Sequence, residues 1–279
     1  MSSLIANRYG KRDIRLVKVV RHDGSCDLKQ LTANIFLVGD FESCYRTGDN
    51  SRILPTDTMK NTVYALARNS DLDPIEGFAL ELLHHFLDNN PQVEKGRIEI
   101  TETPWDRIRV DGRPHPAAFQ RQGPETRTTA VAGSREKISV SSGVDRLVLL
   151  KTADSAFTGF IRDRFTTLAE ADDRLLGTEI RAEWHYAGCD LPFNDLWQRA
   201  LDTLTATFAG HHSLSVQHTL FEMGQQALRR LAEIDEIYLA MPNQHCLLVD
   251  LSSFGLDNPN QVFVPVDEPY GFIEARVAR

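Results

Sequence analysis

Apolar residues recur at helical spacing in residues 73–91, DPIEGFALELLHHFLDNNP. Ile75, Phe78, Ala79, Leu82, Leu83, Phe86 and Leu87 share one face, which predicts an amphipathic helix. Asp73 is placed to cap it, Pro74 suits its first turn, Glu76 completes a capping-box-like pattern, and Asn89-Asn90-Pro91 stops it. A second helix is predicted over 194–209, with Leu196, Trp197, Ala200, Leu201, Leu204 and Phe208 inward and Gly210 at its end. A third opens near Ser215 and runs to about Ala232. Strand-like stretches fall at 11–20 (KRDIRLVKVV), 31–41 (LTANIFLVGDF), 97–103 (RIEITET), 137–143 (KISVSSG) and 146–151 (RLVLLK). Two more, IYLAM and CLLVDL, flank a break at Pro242-Asn243.

The order is strand pair, helices, long strands, and then strand pair, helices, strand pair again. One plan is used twice, with a junction near VAGSREK (131–137), so the predicted domains are 1–134 and 135–279. Segregated helices and hairpin-like strand pairs predict an α+β fold with antiparallel sheets. Residues 110–125, VDGRPHPAAFQRQGPE, are rich in turn formers and read as a hairpin tip with its neighbouring surface.

Length and composition permit this plan. The 279 residues suffice for one large or two medium domains, and 42% apolar with 25% charged residues is the balance of a globular chain. The net charge of −8 gives no support to nucleic-acid binding. No run approaches the roughly eighteen apolar residues of a membrane span. Residues 1–8 lack the apolar stretch of a secretory signal, and the last residues are not a Ser-Lys-Leu address, so the cytoplasm is the expected location. Cys26, Cys44, Cys189 and Cys246 have no CxxC spacing and read as reduced thiols rather than zinc ligands. There is no GxxxxGK[ST] loop, no GxGxxG after a strand and no HExxH. His84 and His85 diverge by about 100° around a helix and cannot easily chelate together. His211 and His212 follow a helix-ending glycine, where imidazoles are ordinary.

Other polar groups stay open to two readings. In TDTMKNT (56–62), Thr56 and Asp57 either cap a helix or present groups to a ligand. Ser213 or Ser215 starts the third helix, and that start is either a plain cap or a site for an anionic or amide-like ligand, with Gln217 one turn in. MPNQH (241–245) is either a hairpin turn or a functional Asn-Gln-His trio. Phe157, Phe160, Arg162, Arg164, Phe165 and Arg174 are either core rings and surface cations, or a stacking ring with a planar guanidinium suited to a flat anion.

Taken together, five segments tip the balance. YGK (9–11), TDTMKNTVYALAR (56–68), SAFTGFIRDRFTTL (155–168) with DDRLL (172–176), SVQ (215–217) and MPNQH (241–245) resemble urate oxidase (uricase), in that family's order and at its approximate spacings. FGLDNPNQVF and PYGFIEA resemble its closing region. Met241 and Gln244 depart from the family's commoner Leu and Lys, at positions that carry no chemistry.

The resemblance implies two tandem tunnelling-fold (T-fold) domains, with helices on one face of each antiparallel sheet. It implies a barrel-like homotetramer with active sites at subunit interfaces. It implies oxidation of urate by O₂ to 5-hydroxyisourate and hydrogen peroxide, with no cofactor and no metal. Carried over to this chain, Arg174 and Gln217 grip one edge of the purine, the Val216 N–H adds a donor, and Phe157 stacks on the ring. Asn243 helps hold O₂ or water over the ring. Lys11, Thr56 and His245 form the proton relay, and Asp57 contributes a backbone contact across the interface.

Overall fold

The alternation read near the N-terminus becomes an antiparallel sheet. The computed structural model describes residues 3–121 and 123–279. β1 (Tyr9–His22) pairs with β2 (Ser25–Gly39), which buries Leu31, Ala33, Ile35 and Leu37 on one face. A short helix α1 (Glu42–Thr47) and two longer ones, α2 (Thr56–Asn69) and α3 (Ile75–Asn89), come next. β3 (Val93–Thr103) then returns antiparallel to β2. α2 packs on β1 and α3 on β3. Burial of Phe78, Leu82, Leu83 and Phe86 on α3 contributes about 1.5–3 kcal/mol each. Gly96 gives α3 room for close approach where they meet: a Cβ there would lie 2.6 Å from Leu83 Cδ1, which would have to shift.

Residues 110–120 are more regular than their turn-rich composition suggested. β4 (Asp106–Val110) and β5 (Arg113–Gln120) form a hairpin turning at Asp111 and Gly112, both with positive φ. β6 (Thr126–Gly133) pairs with β3, and β7 (Ile138–Lys151) adjoins β6. The two stretches read at 137–143 and 146–151 are one strand, with Arg146 at φ 61° in its middle.

After β8 (Leu176–Tyr186) come α4 (Phe193–Gly210) and α5 (Val216–Arg230), then β9 (Ile234–Ala240), β10 (Asn243–Leu248), β11 (Phe263–Gly271) and β12 (Glu274–Ala278). β9 lies between β8 and β12, and β10 between β8 and β11. α5 packs on β9 and β12. It comes so near β12 that a Cβ on Gly224 would sit 2.8 Å from Val277.

The chain divides into two compact units. One holds residues up to Gly143 together with His185–Trp197; the other holds Val144–Trp184 and Gln198–Arg279. Each is α+β, with antiparallel strand pairs and helices packed on the sheet.

Two expected caps are not formed. The N-cap of α2 is Pro55 and that of α3 is Pro74, neither with a side-chain cap hydrogen bond. Asp73 instead accepts from Lys29 (3.2 Å) and Asn194 (3.0 Å). Glu76 is fully buried, where it accepts from Arg127 (2.7 Å) and from the Ser142 hydroxyl. A buried carboxylate needs a cation more than a helix start needs a cap.

Candidate active site

In the second unit, three separate segments are laced together by backbone hydrogen bonds. Phe157 N–H donates to Ala171 O (2.7 Å), and Ala171 N–H returns the bond (3.1 Å). Arg174 N–H donates to Ser155 O (2.7 Å). Ser213 joins the same strap: its N–H donates to Asp154 O (2.9 Å) and its carbonyl accepts from Ala156 N–H (2.7 Å). Ser213 Oγ then donates to Ser215 O (3.1 Å) and accepts from Thr219 Oγ1 (2.8 Å). The result brings Phe157, Arg174, Val216 and Gln217 to one place.

Several donors in this region have no acceptor among the described residues. The Arg174 guanidinium lies 5.4 Å from the centroid of Phe157. Its Nε is buried and, among the described residues, has no hydrogen-bond partner. Burial draws its pKa below the ordinary guanidinium value, yet arginine stays charged, so a buried donor without an acceptor is costly. Ser215 is the N-cap of α5, its Oγ accepting from His218 N–H (3.1 Å). The N–H groups of Val216 and Gln217, first and second in the helix, have no acceptor within it. The cap and the anion-site readings of Ser215 are therefore compatible, since the serine satisfies the third N–H and leaves the first two. Phe160 stacks on Phe157 at 4.9 Å and 14°; the sequence showed this ring without a role.

MPNQH is not a hairpin turn. β9 and β10 do not pair with each other; both run along β8. Pro242 marks the point where the chain exchanges β12 for β11 as its outer partner. Asn243 sits in register with Thr178 of β8 and Gly271 of β11, and His245 with Val266. Both side chains are half-buried.

In the first unit, β1 carries Lys11 and α2 opens at Thr56. Asp57 spends its carboxylate locally, accepting from Lys60 and from Asn61 Nδ2 (2.9 Å). Lys60 above all, and Lys11 more weakly, hold its carboxyl below the usual range. Lys11 is thus within electrostatic reach of the first turn of α2. No hydrogen bond joins Lys11 to Thr56 among the described residues. With its carboxylate occupied, Asp57 has its backbone N–H to offer, which as the second of the helix lacks an intrahelical acceptor. Tyr9 is the residue the sequence reading passed over. Its hydroxyl accepts from Leu54 N–H (3.0 Å) and donates to Leu54 O (3.1 Å), two residues before Thr56. The YGK triplet contained it, but a contact 45 residues away leaves no local signal.

Paired α+β units of this topology, with helices on one face of antiparallel strands, define the T-fold class. The family model for uricases matches residues 7–132 and 140–274. A uricase of Arthrobacter globiformis is 41% identical over 273 residues, covering 98% of this chain and 89% of that protein. One of Danio rerio is 38% identical over 277 residues, covering 97% and 93%. The crystal structure of the Arthrobacter globiformis uricase superposes with a TM-score of 0.95 at 40% identity, covering 100% of this chain and 96% of that one. The urate oxidase of Bacillus sp. TB-90, at 23% identity and a TM-score of 0.85, shares the fold. The chain belongs to the uricase family. It is an oxidoreductase that converts urate and O₂ to 5-hydroxyisourate and hydrogen peroxide without a cofactor.

Proposed function

We propose that the groups gathered in the two units are complementary halves of one urate site, completed where subunits of a homotetramer meet. The observation that carries this reading is the buried, unpartnered Nε of Arg174 over the Phe157 ring, strapped beside the N-terminus of α5. A planar anion satisfies all three features at once: charge for the guanidinium, acceptors for the Val216 and Gln217 N–H groups, and a face for the ring. The Gln217 side chain, exposed at the helix start, grips the same purine edge as Arg174.

Asn243 holds O₂ or water above the ring. Two electrons pass from the urate anion to O₂, water supplies the hydroxyl, and the protons are moved by Lys11, Thr56 and His245 so that hydrogen peroxide leaves. The backbone of Asp57 adds a contact from the neighbouring subunit. Open sheet edges support self-association. β1 is an edge strand and exposes Val17, Val19 and Val20; β11 is another edge strand and, with β10, exposes Leu247, Leu248 and Val264.

The test is a urate assay on purified, chelator-treated protein with oxygen and peroxide readouts. Loss of urate absorbance with matching O₂ uptake is expected; inactivity under those conditions overturns the reading. Within it, Lys11→Met and Thr56→Ala each lower kcat by about a hundredfold or more, the scale of a lost proton-transfer group, and leave binding of a non-oxidisable urate analogue nearly intact. An equal loss of affinity removes them from the relay.

A further inference from the structure

We infer that Tyr9 is a positioning residue for the proton relay, its hydroxyl clamping the loop that delivers Thr56 to the vicinity of Lys11. The inference rests on the assignment of Lys11 and Thr56 to that relay.

The geometry converges from both sides of the clamp. Tyr9 and Lys11 are two residues apart on β1, separated by Gly10. A Cβ at Gly10 would fall 1.8 Å from Ile35 O, so β1 is pressed onto β2 there. The pairing slips between Lys11 and Ile14, and Asp13, at φ 57°, donates its N–H to Asn34 Oδ1 (2.8 Å). The backbone of Lys11, paired with Ile35, is thus fixed on either side.

The Tyr9 ring packs edge-on against the fully buried Phe41, with centroids 4.8 Å apart. From that anchored ring the hydroxyl makes both bonds to one peptide residue, accepting from Leu54 N–H and donating to Leu54 O. Pro55 follows with its restricted φ, and its carbonyl accepts the first bond of α2, from Met59 N–H (3.2 Å). Thr56 is the next residue. Few rotatable bonds separate the clamp from the threonine, so the phenolic oxygen fixes its placement relative to β1 together with the packing of α2 on that strand. Proton transfer is steep in distance, and a displacement of about 1 Å can cost about a hundredfold in rate.

The experiment is kinetic analysis of Tyr9→Phe, which removes a single oxygen and keeps the packing on Phe41. The expected result is a kcat lowered about tenfold or more, with affinity for a non-oxidisable urate analogue changed less than about twofold. A double-mutant cycle separates positioning from mere stabilisation. If Tyr9 acts through Thr56, then Tyr9→Phe combined with Thr56→Ala turns over no more slowly than Thr56→Ala alone. An unchanged kcat in folded Tyr9→Phe, or fully multiplicative losses in the double variant, overturns the inference. If Lys11→Met and Thr56→Ala themselves leave kcat intact, the relay assignment fails first. If they lower kcat and Tyr9→Phe does not, only the role of Tyr9 fails.

Discussion

At the scale of single residues, the proposed site depends on groups denied their ordinary partners. Arg174 is the clearest case, with a half-buried guanidinium whose Nε meets no acceptor among the described residues. A ligand that completes it recovers a charge-assisted hydrogen bond worth about 1.5–3 kcal/mol. Arg174→Gln is therefore expected to raise KM by about ten- to a hundredfold, measured by initial rates across urate concentration. Because no acceptor is stranded by the change, the folded protein should be no less stable, which thermal unfolding checks. Asp57 shows the opposite economy: its carboxylate is occupied by Lys60 and Asn61, so its backbone is what remains to act.

At the scale of elements, the placement of α5 relative to the strap decides whether Arg174 and Gln217 reach the same ligand. Ser213 and Thr219 are both fully buried, and one pair of hydroxyls ties the strap to the first turn of α5. Ser213→Ala is expected to raise KM about fivefold to tenfold with little change in kcat, the cost of roughly one hydrogen bond read in binding. A change in kcat alone would contradict this role.

The same loop carries a pH dependence. His211 has a buried Nε2 without a hydrogen-bond partner among the described residues, its ring lies 4.4 Å from that of His218, and Lys151 donates to its carbonyl. Burial first, and then His218, Lys151 and His212, lower its pKa below the ordinary imidazole value of 6.5, while Glu222 opposes them. The unfolded chain then binds more protons than the folded one, so this contribution to stability is complete above pH 6.5 and is lost as pH falls below it. The melting temperature is expected to drop more steeply below that value in the native protein than in His211→Asn.

At the scale of the whole molecule, the proposed site is shared between chains, and sharing has a consequence that no single-site mutation tests. Lys11→Met damages only the half contributed by the first unit, and Arg174→Gln only the half from the second. Subunits of the two impaired variants, denatured and reassembled together, form some interfaces in which both halves are native. With random assembly roughly one site in four is restored. At urate concentrations well below the KM of Arg174→Gln, activity in the mixture above that of either variant alone is the expected outcome. No recovery, given tetramers of mixed composition by mass spectrometry, places each site within one chain.

The sequence by itself determined what depends on periodicity and residue type. The apolar faces of α3 and α4, the extent of α5 and the strands β2 and β3 were legible, because burial of a face imposes a repeat on neighbouring positions. The α+β class followed from the order of those elements, and the candidate residues from motifs whose spacing the resemblance could match. Tertiary structure alone decided how long-range partners compete for a side chain. Asp73 and Glu76 look like caps locally, but Lys29, Asn194, Arg127 and Ser142 claim them. MPNQH looks like a hairpin until β8 is seen to pair with both strands it joins. Tyr9 and Leu54, or Ser213 and Ala156, are distant in sequence and adjacent in space. A chain of residue types carries local preference, whereas the choice among partners is made only when the sheet brings those residues within a hydrogen bond of one another.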